Sequence, residues 1–307
     1  VGCASRWSEP GPRQEPLGSC APRPGKNMSD RMQTLTQQIG ALPTWEKVLV
    51  LVIVLPAAFL ALEFLFPAHP RQAVPRRSLV LNISYWFVNP LVIQVVSKLA
   101  VCVVGLALCG ALGWPADESV LNGFGPLARQ PLCLQVAEIM LLADFVDYWT
   151  HRWFHVSRAW RFHAIHHSPE HMNWLASARV HPVNDFITRL CQVVPVVMVG
   201  LPVKAVLIVV PVLVLFVIVL HSNLNWDYGP FRWVLVSPLY HRWHHTTDAE
   251  GVDKNFAGIF PIWDLLFGTA HFPRREPTRF GVNRNPPPET LFGQLLYPFR
   301  GCPTQHE

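Results

Sequence analysis

Apolar residues along this chain do not alternate with polar ones; they run in long blocks separated by short polar or basic interludes. The first block, residues 47–66 ("KVLVLVIVLPAAFLALEFLF"), has about the ~20 residues that an α-helix needs to cross roughly 30 Å of hydrocarbon, with Pro56 expected to kink it. The second, residues 79–112, has Lys98 as its only charge and is interrupted by Asn89-Pro90; it predicts an interfacial or re-entrant start and a helix from about Leu91. The third, residues 132–148, carries Glu138, Asp144 and Asp147, which are costly inside a membrane and therefore candidates for function. The fourth, residues 186–220, is split by Gly200-Leu201-Pro202 and predicts a helical hairpin that enters and leaves by one face.

These blocks predict an all-α, polytopic membrane protein with about four or five transmembrane helices. Residues 1–44, rich in Pro, Gly, Ser and Arg, are expected to be a disordered extension. Because Met28 opens a more ordinary stretch, residues before it are expected to be upstream sequence. Residues 45–280 then form the membrane-embedded domain and residues 281–307 a C-terminal tail. Loop 67–78 holds Arg71, Arg76 and Arg77, whereas loop 113–131 holds Asp117 and Glu118 against Arg129. With the basic loop in the cytoplasm, residues 151–182 and the chain after the hairpin meet on the cytoplasmic side as a histidine-rich helical cap.

Composition sharpens this picture. Half of the 307 residues are hydrophobic and 15% are charged, which fits lipid surroundings. The seven cysteines form no C-x-x-C pair, so neither a disulfide framework nor a thiolate zinc site is expected. A net charge of +5, with Lys and Arg flanking apolar runs, suits lipid headgroups; no nucleic-acid motif is present.

Of 14 histidines, 11 lie between His151 and His245. Three clusters recur at helical spacing: "HRWFH" (His151, His155), "HAIHH" (His163, His166, His167) and "HRWHH" (His241, His244, His245). Positions i and i+3 or i+4 share a helix face, so each cluster can aim imidazoles at a common point. With His221 and His181 the candidates number ten, more than one ion can use, and a pair of metals is the economical reading. Imidazole suits iron, zinc or copper alike. Asp144 and Asp147, on the face leading to His151, are candidates to orient ligand imidazoles from behind. His69, His171, His271 and His306 are expected to be loop or surface residues. The tryptophans at 149, 153, 160, 174, 226, 233 and 243 are expected to form an interfacial belt.

The motifs "DFVDYWTHRWFH", "RFHAIHHSPEHMNW", "RVHP", "HSN", "SPLYHRWHH", "NFAGIFPIWDLLFGT" and "REPTRFGV", in this order, resemble the fatty acid hydroxylase superfamily, also called the sterol desaturase family, over residues 45–280. The resemblance implies a membrane-bound, non-haem di-iron enzyme that uses O₂ on a lipid. It assigns the iron-binding role to His151, His155, His163, His166, His167, His241, His244 and His245, with His221 and His181 as further ligands. Asn223 is then expected near the metal, and Asn255, Trp263, Asp264 and Gly268 in structural roles.

Hydroxylation, desaturation and ether cleavage of the alkylglycerol kind share one site, and the ligands do not separate them. A membrane metal transporter, which would line a crossing path with histidines, is the distant alternative. The chain has no cytochrome b5-type H-P-G-G, no iron–sulfur pattern and no G-x-G-x-x-G, so electrons are expected from a separate reductase with cytochrome b5 or ferredoxin. The bacterial inner membrane is preferred to the endoplasmic reticulum as the location.

Overall fold

The computed structural model describes residues 44–113 and 122–300. The expectations for residues 1–43, for the acidic pair Asp117 and Glu118 and for residues 301–307 lie outside these. The chain divides into two compact units, residues 1–56 and 57–307. In the first, the described residues are the opening turns of α1 (Thr44–Leu65), a helix that runs through Pro56.

The second unit is helical. After α1 come α2 (Arg76–Val88), α3 (Gln94–Leu112), α4 (Leu132–Val156), α5 (Trp160–His167), α6 (Pro182–Met198), α7 (Val203–His221), α8 (Pro238–His244), α9 (Ile262–Phe267) and α10 (Leu291–Leu296). Among the described residues no strand forms; two isolated bridges, Pro67–Leu224 and Thr246–Phe280, are the only extended pairings.

The expected break at Asn89-Pro90 does not occur. The chain passes from α2 to α3 through a single π-helical turn, Asn89–Ile93, in which the Gln94 N–H reaches back to the Asn89 carbonyl. Widening the helix by one residue accommodates the proline, which has no N–H to donate. The expected hairpin is present. α6 ends at Met198 and α7 starts at Val203, and between them Gly200 adopts φ +82°, a left-handed turn that disfavours a side chain. Phe124 N–H donates to the Gly200 carbonyl at 2.9 Å, and a Cβ at Gly200 would collide with Phe124.

Among the described residues, two helices can cross a bilayer by length and composition, the continuous Arg76–Leu99 and Val203–His221; a shorter apolar stretch covers Val52–Leu65. Of the other expected crossings, α4 carries Glu138, Asp144 and Asp147, and α6 has 17 residues with Asp185 and Arg189 on it. Large apolar side chains point outward, among them Leu91 (70% exposed) and Leu207 (68%). A surface of this kind is stable against lipid tails and unfavourable in water. The protein is a membrane protein.

α6 packs on both α3 and α4, and α7 packs on α4 and α8. Ile139, Val196, Leu201, Ala205 and Val209 close the core at the hairpin end. At the other end Tyr148, Leu220, Val236, Tyr240, Phe256 and Ala257 form a second core, which ties α4, α7 and α8 together beneath the histidines.

Candidate metal centre

The three histidine clusters lie on α4, α5 and α8, as the spacing predicts, and His221 ends α7. Their side chains converge into two groups. His151, His155, His163, His167 and His244 form one; His166, His221, His241 and His245 form the other; within each, the nitrogen atoms lie within 4.8 Å of one another. Each group could hold a metal ion. Neighbouring boxes exchange members, since His163 and His167 join the first group while His166 between them joins the second.

For five of the nine rings, the hydrogen bond at the far side decides what the inner nitrogen is. Nδ1 of His151 donates to the Phe256 carbonyl at 2.8 Å, His166 to Arg179 at 3.2 Å, His221 to Val217 at 2.8 Å and His244 to Lys254 at 2.9 Å. His163 Nδ1 donates to Asn184 Oδ1 at 2.8 Å. A carbonyl oxygen can only accept, so each of these Nδ1 atoms carries the proton and the corresponding Nε2 is bare. Yet the Nε2 atoms of His151 and His163 stand 3.0 Å apart, and those of His166 and His221 stand 3.2 Å apart. Two bare lone pairs at that distance repel unless a cation lies between them, and a fixed outer N–H is the usual companion of a metal-bound imidazole. The donor set therefore fits a resident metal.

Burial keeps these rings neutral. It pushes His163, His167, His241, His244 and His245 well below the usual imidazole range, and the neighbouring imidazoles push the same way. His166 is pushed down to about 4, again chiefly by burial. Neutral rings are the form that binds metal.

The remaining sequence-based candidates lie elsewhere. His181 joins neither group: its Nδ1 accepts from Val183 N–H at 3.1 Å as the N-cap of α6, and its Nε2 meets the Leu295 carbonyl at 3.2 Å. Asp144 accepts from the backbone N–H groups of Gly258, Ile259 and Phe260 and from Trp263 Nε1, at 2.8–3.1 Å. Asp147 accepts from Gln192 Nε2 at 3.2 Å. Neither carboxylate bonds an imidazole among the described residues. Asn223 clasps the backbone of His69, accepting from its N–H at 2.9 Å and donating to its carbonyl at 3.3 Å.

The imidazoles have other supports. Asp253, in the left-handed region at φ +55°, reaches His155 Nδ1 at 3.3 Å. Asp264, fully buried, accepts from the N–H groups of Phe256 and Ala257 and from the hydroxyls of Tyr240 and Thr269, fixing the carbonyl that holds His151. The structural role expected for the "NFAGIFPIWDLLFGT" stretch thus has a definite object. Trp149, Trp153 and Trp233 are exposed, whereas Trp160, Trp174 and Trp243 are buried and outside any belt.

A cavity of ≈ 470 Å³ reaches the centre, lined by His151, His163, His166, His221 and His241 at one end and by apolar α7 side chains such as Leu213 and Val217 along its length.

An all-helical membrane protein with two convergent sets of buried imidazoles has the architecture of a histidine-box protein, in which each set could hold a metal ion. Residues 136–269 match the family model described as fatty acid hydroxylase, and the chain carries a fatty acid hydroxylase domain there. It is 29% identical over 171 residues to an ornithine lipid hydroxylase of Rhizobium tropici, covering 55% of this chain and 51% of that protein. Alkylglycerol monooxygenases of Xenopus tropicalis (34% over 140 residues; 45% of this chain, 31% of that protein) and Danio rerio (36% over 127 residues; 41% and 28%) are also similar. The chain spans about half or less of the length of these curated relatives. No solved structure matches.

Proposed function

We propose that the chain is a membrane-embedded lipid hydroxylase that inserts one atom of O₂ into a C–H bond of a lipid. The observation that carries this reading is the pairing of two imidazole groups with a lipid-sized cavity that opens on them. His151, His155, His163, His167 and His244 would hold one iron and His166, His221, His241 and His245 the other; His181 is the capping residue of α6. Iron with open coordination positions activates O₂ with two electrons supplied from outside the chain.

The protein's own contribution is positional. Carbonyls 179, 217, 254 and 256, with Asn184, hold the imidazoles of His166, His221, His244, His151 and His163 in one tautomer and orientation. Leu213, Val214 and Val217 offer an apolar wall to an alkyl chain and keep water from the reacting carbon. The alternating membership of the boxes argues against transport, since ions handed along a path need ligands in file rather than two closed sets. The reading includes several membrane crossings with the histidines on the cytoplasmic face, in a bacterial inner membrane, and a separate cytochrome or ferredoxin as electron donor.

The similarity to alkylglycerol monooxygenases favours a second reading, in which the hydroxylated carbon bears an ether oxygen and the product collapses to an aldehyde and an alcohol. Metal analysis with Mössbauer spectroscopy on detergent-purified protein, followed by lipid mass spectrometry, tests both. Two irons per chain and a lipid product heavier by one oxygen are expected; an aldehyde selects ether cleavage, loss of two hydrogens selects desaturation, and zinc alone or haem in active protein would overturn the reading.

A further inference from the structure

The cavity has two unlike walls. α7 contributes Val210, Leu213, Val214 and Phe216, whereas α6 contributes Asn184, Asp185, Thr188, Arg189 and Gln192, which recur at helical spacing. Most of this polar wall is already engaged. Asn184 holds His163, and Asp185 is paired with Arg189 at 2.7 Å. Among the lining residues, three carboxylates (Asp144, Asp147, Asp185) face one guanidinium, Arg189. Asp144 is saturated by its four donors and Asp185 by its arginine. Asp147 is left, one turn before His151, with the single amide donor of Gln192 among the described residues.

A carboxylate without a cation partner in surroundings of low dielectric attracts hydrogen-bond donors and repels a second anion. Beside it, the Gln192 amide can both donate and accept. A hydroxyl answers both, since it gives its proton to the carboxylate and takes one from the amide.

We infer that Asp147 and Gln192 form the specificity-determining pair of the cavity, receiving a hydroxyl on the lipid close to the carbon that is oxidised and rejecting an anionic head group there. The inference rests on the proposed reading of this cavity as the lipid site.

Calorimetric titration of the full chain in detergent micelles tests it with three probes that each carry a sixteen-carbon chain: 1-O-hexadecylglycerol, its di-O-methyl ether, and hexadecanoate. The diol is expected to bind at least about tenfold more tightly than either of the others. Asp147→Asn is expected to weaken diol binding and strengthen hexadecanoate binding, while Gln192→Glu raises the diol-to-hexadecanoate ratio. Opposed shifts in the two variants exclude a general loss of fold. Equal binding of the diol and its dimethyl ether, or a shift of the ratio in one direction in both variants, would overturn the inference while leaving the lipid site standing. If none of the three bound, the lipid reading itself would fall and the inference with it.

Discussion

His151 and His163 face each other with their Nε2 atoms 3.0 Å apart while the Nδ1 atom of each donates outward, to the Phe256 carbonyl and to Asn184. Both inner nitrogens are bare, so the pair presents two lone pairs that a cation could share. His163→Ala is expected to lower metal affinity of the first group by tenfold or more, and His241→Ala that of the second, each leaving the other group loaded. Metal content per chain by plasma mass spectrometry checks this; loss of all metal from either variant would contradict two separate groups.

Asn184 acts on the centre through His163. Asn184→Ala removes the acceptor that fixes the ring, and metal affinity is expected to fall roughly 10–100-fold, whereas Asn184→Asp, which keeps an acceptor, retains most of it. Competition with a chelator of known affinity measures both variants.

Asp264 serves four donors from a fully buried position. Asp264→Ala would leave two backbone N–H groups and the Tyr240 hydroxyl without an acceptor, at a cost of about 3 kcal/mol or more. Thermal unfolding in detergent should show a lower Tm, together with weaker metal binding because Phe256 no longer holds its carbonyl toward His151.

The metal-free protein should lose stability in acid. Unfolded His166 takes up a proton near pH 6.5, but in the folded chain burial delays this to about 4. Between those values the unfolded state binds more protons, so stability falls as the pH drops through that window and is fully recovered above 6.5. Unfolding followed from pH 7 to 4 checks the sign; a flat profile would contradict the burial of neutral imidazoles.

What could be read from the sequence was what depends on local spacing. His163, His166 and His167 are separated by single helical steps, so α5 alone decides where they point. Asp144 stands on the helical face leading to His151 as its spacing requires, but backbone more than a hundred residues later takes both of its oxygens. The outer partners of the imidazoles are mostly carbonyls of residues 179, 217, 254 and 256, and every residue has a carbonyl, so no side-chain pattern announces them. Asn89-Pro90 signalled a stop because a proline cannot continue an α-helix, whereas a π turn lets the chain go on.

The exchange between the two histidine groups has a mechanical result. α5 gives His163 and His167 to one group and His166 to the other; α8 with its C-cap residue gives His241 and His245 to the second and His244 to the first. The two short helices are interlocked like a clasp, each lending one tooth to the other's side, and the His167 and His245 rings stack across the seam at 4.3 Å. The spacing between the two centres is therefore set by a single helical turn repeated twice. An ion seated on either side would stiffen both halves of the clasp and leave the second seat ready-made.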